Sequence, residues 1–319
     1  MDSPGGRPLI NGKQDDIFFI NAQRGWSVNG LGDIYRTDNG GQTWTQLLHQ
    51  EGTFFRAVLF TSETRGFVTN VGTGYYPNVT DSTPMYETWD GGEIWTPVTT
   101  ISGPMPDGIC NFTQLDDEHI VAVGRVGGPS FVLVSRDGGE TWTSSEVTRR
   151  IAVLIDGHFS SPMEGVLLGG TSRNPSLSHT VVLHTYDGGT SWREVFRSEQ
   201  ASELGWKLSF PTDLIGYASV LSFNDISSFL KTTDGGRTWQ QLPMNVGPYE
   251  AKGIGFINER IGWIGGERPG KPAYRTEDGG QTWQRAPGLG LLINRFRFVD
   301  PWTGYAIGNT IYKFEVPRP

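Results

Sequence analysis

The stretch TYDGGTSW (residues 185–192) recurs in six versions along the chain, and these copies decide the fold. The other five copies occupy residues 37–44, 88–95, 135–142, 232–239 and 276–283. Their closing tryptophans are spaced 51, 47, 50, 47 and 44 residues apart. A repeat of this period, with strand-like sequence between the copies, predicts an all-β propeller.

Each copy has the composition of a tight turn between two strands. Glycine accepts the positive φ that such turns need, and the Asp side chain can accept hydrogen bonds from amides of its own turn. The closing Trp offers a large apolar face to the neighbouring sheet. We therefore expect structural roles for Asn39, Asp90, Asp137, Asp187, Asp234, Asp278, Trp44, Trp95, Trp142, Trp192, Trp239 and Trp283. Because Asn39 replaces the Asp and Ile94 replaces the Thr or Ser, two turns should be less well braced.

A second hairpin, with a Phe six residues before a Gly, as in Phe210 and Gly216, precedes five of the six turns and recurs at Phe298 and Gly304. The stretch 111–123 lacks this pair. The repeating unit therefore has four strands, and six units are complete. A seventh starts near Asn294 and stops after three strands, so we expect residues 7–11 to supply its fourth and close the ring. This predicts one seven-bladed domain over residues 1–319, with six blades as the alternative.

The turn copies resemble the Asp-box, or BNR, repeat, whose pattern is Ser/Thr-x-Asp-x-Gly-x-Thr/Ser-Trp. The spacing, and the phrase Gly-Trp-x-x-Gly before Arg-Thr-x-Asp-Gly-Gly-x-Thr-Trp, resemble the photosystem II assembly and stability factor-like propellers. That resemblance implies a seven-bladed, non-catalytic binding scaffold, with the boxes as peripheral structural devices. Sialidases, xyloglucan-active glycosidases and the sortilin ectodomain share the same box.

Composition excludes several classes of function. The chain has 319 residues and a net charge of −8, without a basic stripe, which argues against nucleic-acid binding. The single cysteine, Cys110, excludes an internal disulfide, and no Cys/His spacing suggests zinc or another cofactor. No apolar run is long enough to span a membrane, and the first residues lack a signal peptide. Both an exported protein trimmed of its leader and a cytoplasmic one fit the sequence. We expect a monomer.

The two faces of the predicted disc differ in loop length. One face carries the short signature turns. The other carries long loops at 72–86, 171–180, 221–228 and 267–272, together with links such as 99–108. Binding sites favour variable loops on a rigid scaffold, so we place the site on this second face. Its adjacent Tyr75 and Tyr76 either bind a sugar or protein partner or pin the loop onto its own blade.

Alternation along the inner strands predicts which residues face the central channel. Side chains repeat with period two, which directs polar residues to the channel and apolar ones between the sheets. The predicted channel residues are Asp16, Asp156, His158, Lys207, Arg295 and Arg297. Mixed charge of this kind either solvates the channel or forms a ligand site. In a ligand site, Arg295 and Arg297, together with Arg56 and Lys207, would hold a carboxylate or phosphate.

Three classes of function remain open. The first is a non-catalytic scaffold whose channel mouth binds a protein segment. The second is a glycoside hydrolase, which needs two facing carboxylates; Asp16 and Asp156 come from blades on opposite sides of the ring, and no sialidase set of residues is present. The third is glycan binding without hydrolysis through Tyr75, Tyr76 and Trp206. We assign no catalytic residue.

Overall fold

The computed structural model describes residues 12–224, 226–266, 272–290 and 292–316. They form seven antiparallel sheets arranged as the blades of a propeller. Each blade runs from an inner to an outer strand in chain order, except that blade three adds one earlier strand at its outer edge. The prediction of an all-β, seven-bladed propeller is confirmed, and the six-bladed alternative is wrong. The proposed closing strand at residues 7–11 lies outside the described residues.

The strand bounds follow the repeat. Blades one and two contain β1 (Gln14–Phe19), β2 (Gly25–Asn29), β3 (Asp33–Thr37), β4 (Thr45–His49), β5 (Phe55–Phe60), β6 (Gly66–Asn70), β7 (Met85–Thr88) and β8 (Thr96–Pro97). Blade three contains β9 (Ile101–Ser102), β10 (Asn111–Gln114), β11 (Ile120–Gly124), β12 (Phe131–Ser135) and β13 (Trp142–Glu146). Blade four contains β14 (Val153–Phe159), β15 (Gly165–Gly170), β16 (Thr180–Thr185) and β17 (Arg193–Arg197), with a 3-10 turn at Pro175–Leu177.

The remaining blades continue the pattern. Blades five and six contain β18 (Glu203–Ser209), β19 (Gly216–Ser222), β20 (Ser228–Thr232), β21 (Gln240–Pro243), β22 (Ala251–Phe256), β23 (Gly262–Gly266), β24 (Tyr274–Thr276) and β25 (Gln284–Arg285). Blade seven, in the described part of the chain, contains β26 (Arg295–Asp300), β27 (Thr303–Ile307) and β28 (Ile311–Glu315).

Blade three keeps the repeat geometry with different residues. Gln114 pairs with Ile120, at the same six-residue spacing at which Phe19 pairs with Gly25 in blade one. The repeat pattern in the sequence did not reveal this hairpin, because Gln114 and Ile120 stand where the other blades have the Phe and the Gly. The link from blade two also behaves differently here, because β9 adds a parallel fifth strand outside β13. Part of this link therefore covers the outer edge of blade three, rather than lying wholly on the loop-rich face.

The signature turns hold each blade together on one face, which we call the turn face. In the fourth copy, the Thr185 hydroxyl donates to Asp187 at 2.8 Å and accepts from the amide of Gly189 at 2.9 Å. The same carboxylate accepts from the amide and the hydroxyl of Ser191 at 2.8 and 2.6 Å. The amide of Gly188 donates to the carbonyl of Met163 in the preceding hairpin turn of the blade. The described loops between second and third strands and most of the described links between blades lie on the opposite face, the mouth face. Residues 267–271 of the predicted blade-six loop lie outside the described residues.

Aromatic contacts join each blade to the next. Trp26 of blade one stacks on Phe60 of blade two, with ring centroids 3.4 Å apart, and Tyr217 of blade five stacks on Phe256 of blade six at 3.5 Å. Tyr305 of blade seven stacks on Phe19 of blade one at 4.3 Å, which closes the ring. Such pairs contribute about 0.5–1.5 kcal/mol beyond the area that they bury. The hydrophobic core is therefore a set of clusters between blades.

Candidate functional site

The inner strands share a β-bulge close to the mouth face. Register shifts occur near the start of β1, β5, β14, β18 and β22. A bulge places an extra residue in one strand and redirects its side chain. The alternation predicted from the sequence therefore does not continue past this point in those strands. The residue four positions before the recurring Phe belongs to the bulge.

Two rings of side chains result, one above the other. The mouth ring consists of the residues four positions before the recurring Phe, or before Gln114 in blade three: Asp15, Arg56, Cys110, Ile155, Trp206, Lys252 and Asn294. The middle ring consists of the next residue in each blade: Asp16, Ala57, Asn111, Asp156, Lys207, Gly253 and Arg295. Nearly all of these residues are buried, Lys252 being partly exposed.

Arg56 is the central cation of the mouth ring. Its guanidinium forms an ion pair with Asp15. The Oδ1 atom of Asp15 also lies 3.1 Å from the Nζ of Lys13, with which it forms a second ion pair. Burial opposes the charge on Arg56, but Asp15, Cys110 and Tyr76 together outweigh it and raise the pKa of the guanidinium above its ordinary value. Burial likewise opposes the charge on Asp15, and Lys13 and Arg56 together lower the pKa of its carboxyl. Arg56 therefore remains charged in a buried position.

Trp206 lies across the channel from Arg56. The Arg56 guanidinium carbon is 5.6 Å from the centroid of the indole, and the Lys252 Nζ is 4.5 Å from it. Cations near an aromatic face interact with its quadrupole, more strongly where water is excluded. Burial, then Lys13 and Arg56, lower the pKa of Lys252 to about 7. The mouth ring thus combines an aromatic surface with positive charge.

The two middle-ring aspartates bind the next blade. Asp16 accepts from the amide of Val58 in blade two at 3.2 Å, and Asp156 accepts from the amide of Leu208 in blade five at 2.9 Å. Asp16 also forms an ion pair with Arg295, whose Nη1 lies 2.9 Å from the Oδ1 of the carboxylate. Both carboxylates are buried, and both accept hydrogen bonds from neighbouring strands. These structural contacts explain the presence of both residues without a catalytic role.

Arg295 and Lys207 are the buried cations of the middle ring. Arg295 donates to the side-chain oxygen of Asn111 at 3.0 Å, which connects blade seven with blade three. The Lys207 Nζ lies 3.9 Å from Asp156, beyond hydrogen-bond distance. Burial, and then Arg295, lower the pKa of Lys207 to about 7. Burial lowers the pKa of Arg295 to about 10, although Asp16 opposes this shift.

The last two predicted channel residues lie nearer the turn face. His158 stacks on Phe210 of blade five with ring centroids 4.2 Å apart, and burial lowers its pKa to about 4. Arg297 approaches Asp16 at 3.4 Å and is 39% exposed. The structure therefore brings Asp16, Arg295 and Arg297 together, whereas His158 occupies an interface between blades four and five.

An apolar layer covers part of the channel on the mouth side. It consists of Val71, Val79, Cys110, Val126, Val153, Ile155, Leu204, Trp206 and Leu221, with Phe54 packed against it. Val79 belongs to the blade-two loop, which is anchored where the amides of Thr80 and Asp81 donate to the carbonyl of Gly52. The loop therefore folds inward from its blade toward the channel.

The two tyrosines occupy the outer surface of this loop. Tyr75 is 47% exposed and Tyr76 is 37% exposed. Their rings meet edge to face at 4.7 Å, and Tyr76 meets Phe54 in the same way at 4.8 Å. Burial raises the pKa of the Tyr76 hydroxyl to about 12, and Arg56 partly opposes that shift. Tyr76 thus lies close to the mouth ring and still presents a surface to solvent.

Sequence reasoning missed Asp15, Lys252 and Phe54. The two charged residues belong to the bulge, where strict alternation fails. Consecutive polar residues in an inner strand, such as Asp15 with Asp16, carried a signal of this irregularity. Phe54 precedes its strand and showed no such signal.

Neither a metal-binding cluster nor a membrane-spanning helix is present in the described ranges. No group of three or more His, Cys, Asp or Glu residues in them is arranged to hold a metal ion. No helix in the same ranges has the length and hydropathy that crossing a bilayer requires.

Comparison with known proteins yields structural likenesses. No protein-family model and no curated protein matches the chain. A structure of YCF48 bound to a D1 peptide is 20% identical, covers 98% of this chain and 96% of its own, and superposes with a TM-score of 0.72. YCF48 from Cyanidioschyzon merolae is 19% identical, with 96% of each chain covered and a TM-score of 0.71.

A glycosidase structure shows the same fold over part of its length. The GH74 enzyme of Niastella koreensis is 14% identical and has a TM-score of 0.68. The match covers 98% of this chain and 53% of that enzyme, so this chain spans about half of it. At such low identities the likenesses show the seven-bladed propeller fold alone.

Proposed function

We propose that this protein is a non-catalytic binding scaffold whose mouth face holds a segment of a protein partner. The observation that carries the proposal is the position of Tyr75 and Tyr76, exposed beside the cationic and aromatic mouth ring. A propeller supports a binding role, because its rigid blades hold variable loops. Aromatic side chains with nearby basic groups are typical of interface hot spots. Acidic or aromatic groups of a partner segment would complement this surface.

Two further arguments support this proposal. Asp16 and Asp156, the carboxylates that a hydrolase would need, are buried and bound by backbone amides of neighbouring strands. One protein of the same fold is known with a bound peptide, since YCF48 has been seen with a D1 peptide. We also propose that the six signature turns are Asp-box turns, because they share one hydrogen-bond pattern around the Thr or Ser and the Asp.

A site-specific cross-link tests the proposed face. The photoreactive amino acid p-benzoylphenylalanine replaces Tyr75, and the matched control replaces Tyr186, which is 52% exposed in a signature turn of the opposite face. We expect irradiation in an extract of the native host to capture a discrete protein segment at position 75 and not at position 186. Equal capture at both positions, or none at position 75, would contradict the proposal.

Carbohydrate binding is the second candidate. The adjacent exposed tyrosines favour it, since aromatic rings also stack on sugars. Alanine variants at the same two positions distinguish it, because a glycan array probed with Tyr75→Ala tests the mouth face and one probed with Tyr186→Ala serves as the control on the opposite face. Loss of glycan binding in the Tyr75 variant alone, without a captured protein, would support a lectin-like role. Glycan cleavage that disappears in Asp156→Asn would support a hydrolase instead.

A further inference from the structure

Several buried donor atoms on the cations of the channel have no hydrogen-bond partner among the described residues. They are the Lys207 Nζ, the Arg295 Nε and Nη2, the Arg56 Nε and the Arg297 Nε. Lys207 and Arg295 are only 3% exposed, so bulk water does not solvate them. Leaving a charged donor unpaired in the interior costs several kcal/mol. A group that accepts hydrogen bonds in the middle ring would offset this cost.

The charges around these donors favour an anion as that group. The basic side chains of the channel and its mouth are Lys13, Arg56, Lys207, Lys252, Arg295 and Arg297. The acidic ones are Asp15, Asp16, Asp156 and Glu250. Tyr76, Cys110 and His158 are the other titratable groups nearby. Asp15 and Asp16 are each shared between two cations, so the basic groups are in excess.

The blade that stands between the two cations brings no acceptor side chain to the middle ring. Blade six, which stands between Lys207 of blade five and Arg295 of blade seven, contributes Gly253 and therefore no side chain. Blade two contributes only Ala57. The neighbouring Asp156 does not complete the site, because it lies 3.9 Å from the Lys207 Nζ and accepts a backbone amide instead. The Lys207 Nζ and the Arg295 Nε and Nη2 thus have no acceptor among the described residues, although the Nη1 of Arg295 is bound by Asp16 and Asn111.

We infer that the middle ring binds one small inorganic oxyanion, of the phosphate or sulfate class, between Lys207 and Arg295. The guanidinium offers a planar pair of N–H donors and the ammonium a point charge, the combination that suits tetrahedral oxyanions. This site lies beneath the mouth ring and does not depend on the partner proposed for Tyr75 and Tyr76. The bound anion would act as a structural ligand that joins blades five and seven.

Sulfate is the probe of choice, because its charge stays constant between pH 6 and pH 9. Thermal unfolding is followed at millimolar sulfate and fixed ionic strength. Sulfate also stabilises proteins by exclusion from their surface, so the informative quantity is a difference between variants. We compare Lys207→Gln with Arg285→Gln, which removes one positive charge from an exposed position of β25. We expect saturable stabilisation of the wild type and of Arg285→Gln, and none of Lys207→Gln.

The pH dependence gives a second test on the wild type. Because the Lys207 pKa lies near 7, its ammonium loses its proton on going from pH 6 to pH 8.5. We expect the dissociation constant for sulfate to rise at least about tenfold over that interval. A constant affinity across this range would contradict the assignment of Lys207.

A direct measurement of the sulfate bound per chain tests the inference even if the Lys207→Gln variant does not fold. Wild-type protein refolded in sulfate is desalted and denatured, and the released anion is measured by ion chromatography. About one sulfate per chain supports the site. No retained sulfate, together with equal stabilisation of all the variants that fold, would overturn the inference and leave water as the group that satisfies the donors.

Discussion

At the scale of single residues, the hydroxyl near the end of each signature turn completes the hydrogen bonds of the Asp. In four copies it donates to the second carboxylate oxygen at 2.5–2.6 Å, through Thr141, Ser191, Thr238 and Thr282. In the first copy Asn39 keeps the pattern with reversed polarity, since its amide nitrogen donates to Thr43 at 2.8 Å. The second copy places Ile94 there, which is 66% exposed and has no hydroxyl to offer Asp90.

We therefore predict that Ile94→Thr stabilises the protein. The new hydroxyl would donate to Asp90, and a hydrogen bond to a charged group contributes about 1 kcal/mol or slightly more. The isosteric Ile94→Val variant lacks the hydroxyl and serves as the control. Chemical denaturation of both variants measures the difference in the free energy of unfolding. Equal stabilities would show that the hydroxyl adds nothing to this turn.

At the scale of elements, a signature turn also packs against the preceding blade. Gly139, in the turn of blade three, has a φ of 87° and lies against Phe67 of blade two. A Cβ added at this glycine would come within 2.2 Å of the Phe67 ring. Phe67 is fully buried and contacts Trp142 and Phe112, so its ring has little freedom to move away. The glycine is thus required by its conformation and by the neighbouring blade.

A pair of alanine variants separates these two requirements. Gly288 has a φ of 84°, and an added Cβ would meet nothing within 4 Å. Both Gly139→Ala and Gly288→Ala should lose about 1–2 kcal/mol from the positive φ. We expect Gly139→Ala to lose about 1–3 kcal/mol more through overpacking against Phe67. Equal losses, measured by urea unfolding, would mean that the interface between the blades adapts to the methyl group.

At the scale of the whole molecule, the inner strands of six of the seven blades bring charges together in the channel, and blade three contributes the uncharged Cys110 and Asn111. Arg295 of blade seven contacts Asp16 of blade one and Asn111 of blade three, while Arg56 of blade two faces Trp206 of blade five. These contacts exist only when the ring is closed. Burying basic groups in this way carries a cost in stability that depends on pH.

We predict that stability increases from pH 7 to pH 9. The folded protein holds Lys207 and Lys252 with pKa values of about 7, against 10.5 for an ordinary lysine. Above pH 7 the unfolded chain keeps protons that the folded protein has released, so the free energy of unfolding rises with pH, by about 2 kcal/mol over this interval for each of the two lysines. The measurement is urea unfolding in buffers free of phosphate and sulfate.

The variant Lys207→Met isolates the contribution of the middle ring. Without this amine, the rise in stability between pH 7 and pH 9 should become smaller, because only Lys252 remains to release its proton. A rise of the same size in the variant would assign the effect to other groups. A fall in stability over this interval in the wild type would contradict the lowered pKa values themselves.

The sequence alone determined the propeller, because its information is local and repeated. Glycines at positions that need positive φ, one Asp or Asn, and one Trp per turn mark the same hairpin in every copy. The number of blades followed from these six copies together with the incomplete seventh unit that starts near Asn294. Blade three escaped the same reading, because the Phe and Gly of its first hairpin are replaced by Gln114 and Ile120 while the pairing is kept.

Only the tertiary structure decided which side chains meet in the channel. The bulges in the inner strands shift the register by one residue, and so Asp15, Arg56 and Lys252 enter the mouth ring against the simple alternation. The inward course of the blade-two loop, which brings Tyr76 beside Arg56, depends equally on contacts across blades. Secondary structure follows from preferences of neighbouring residues, whereas the channel is built from residues separated by up to the whole length of the chain, and only closure of the ring brings them together.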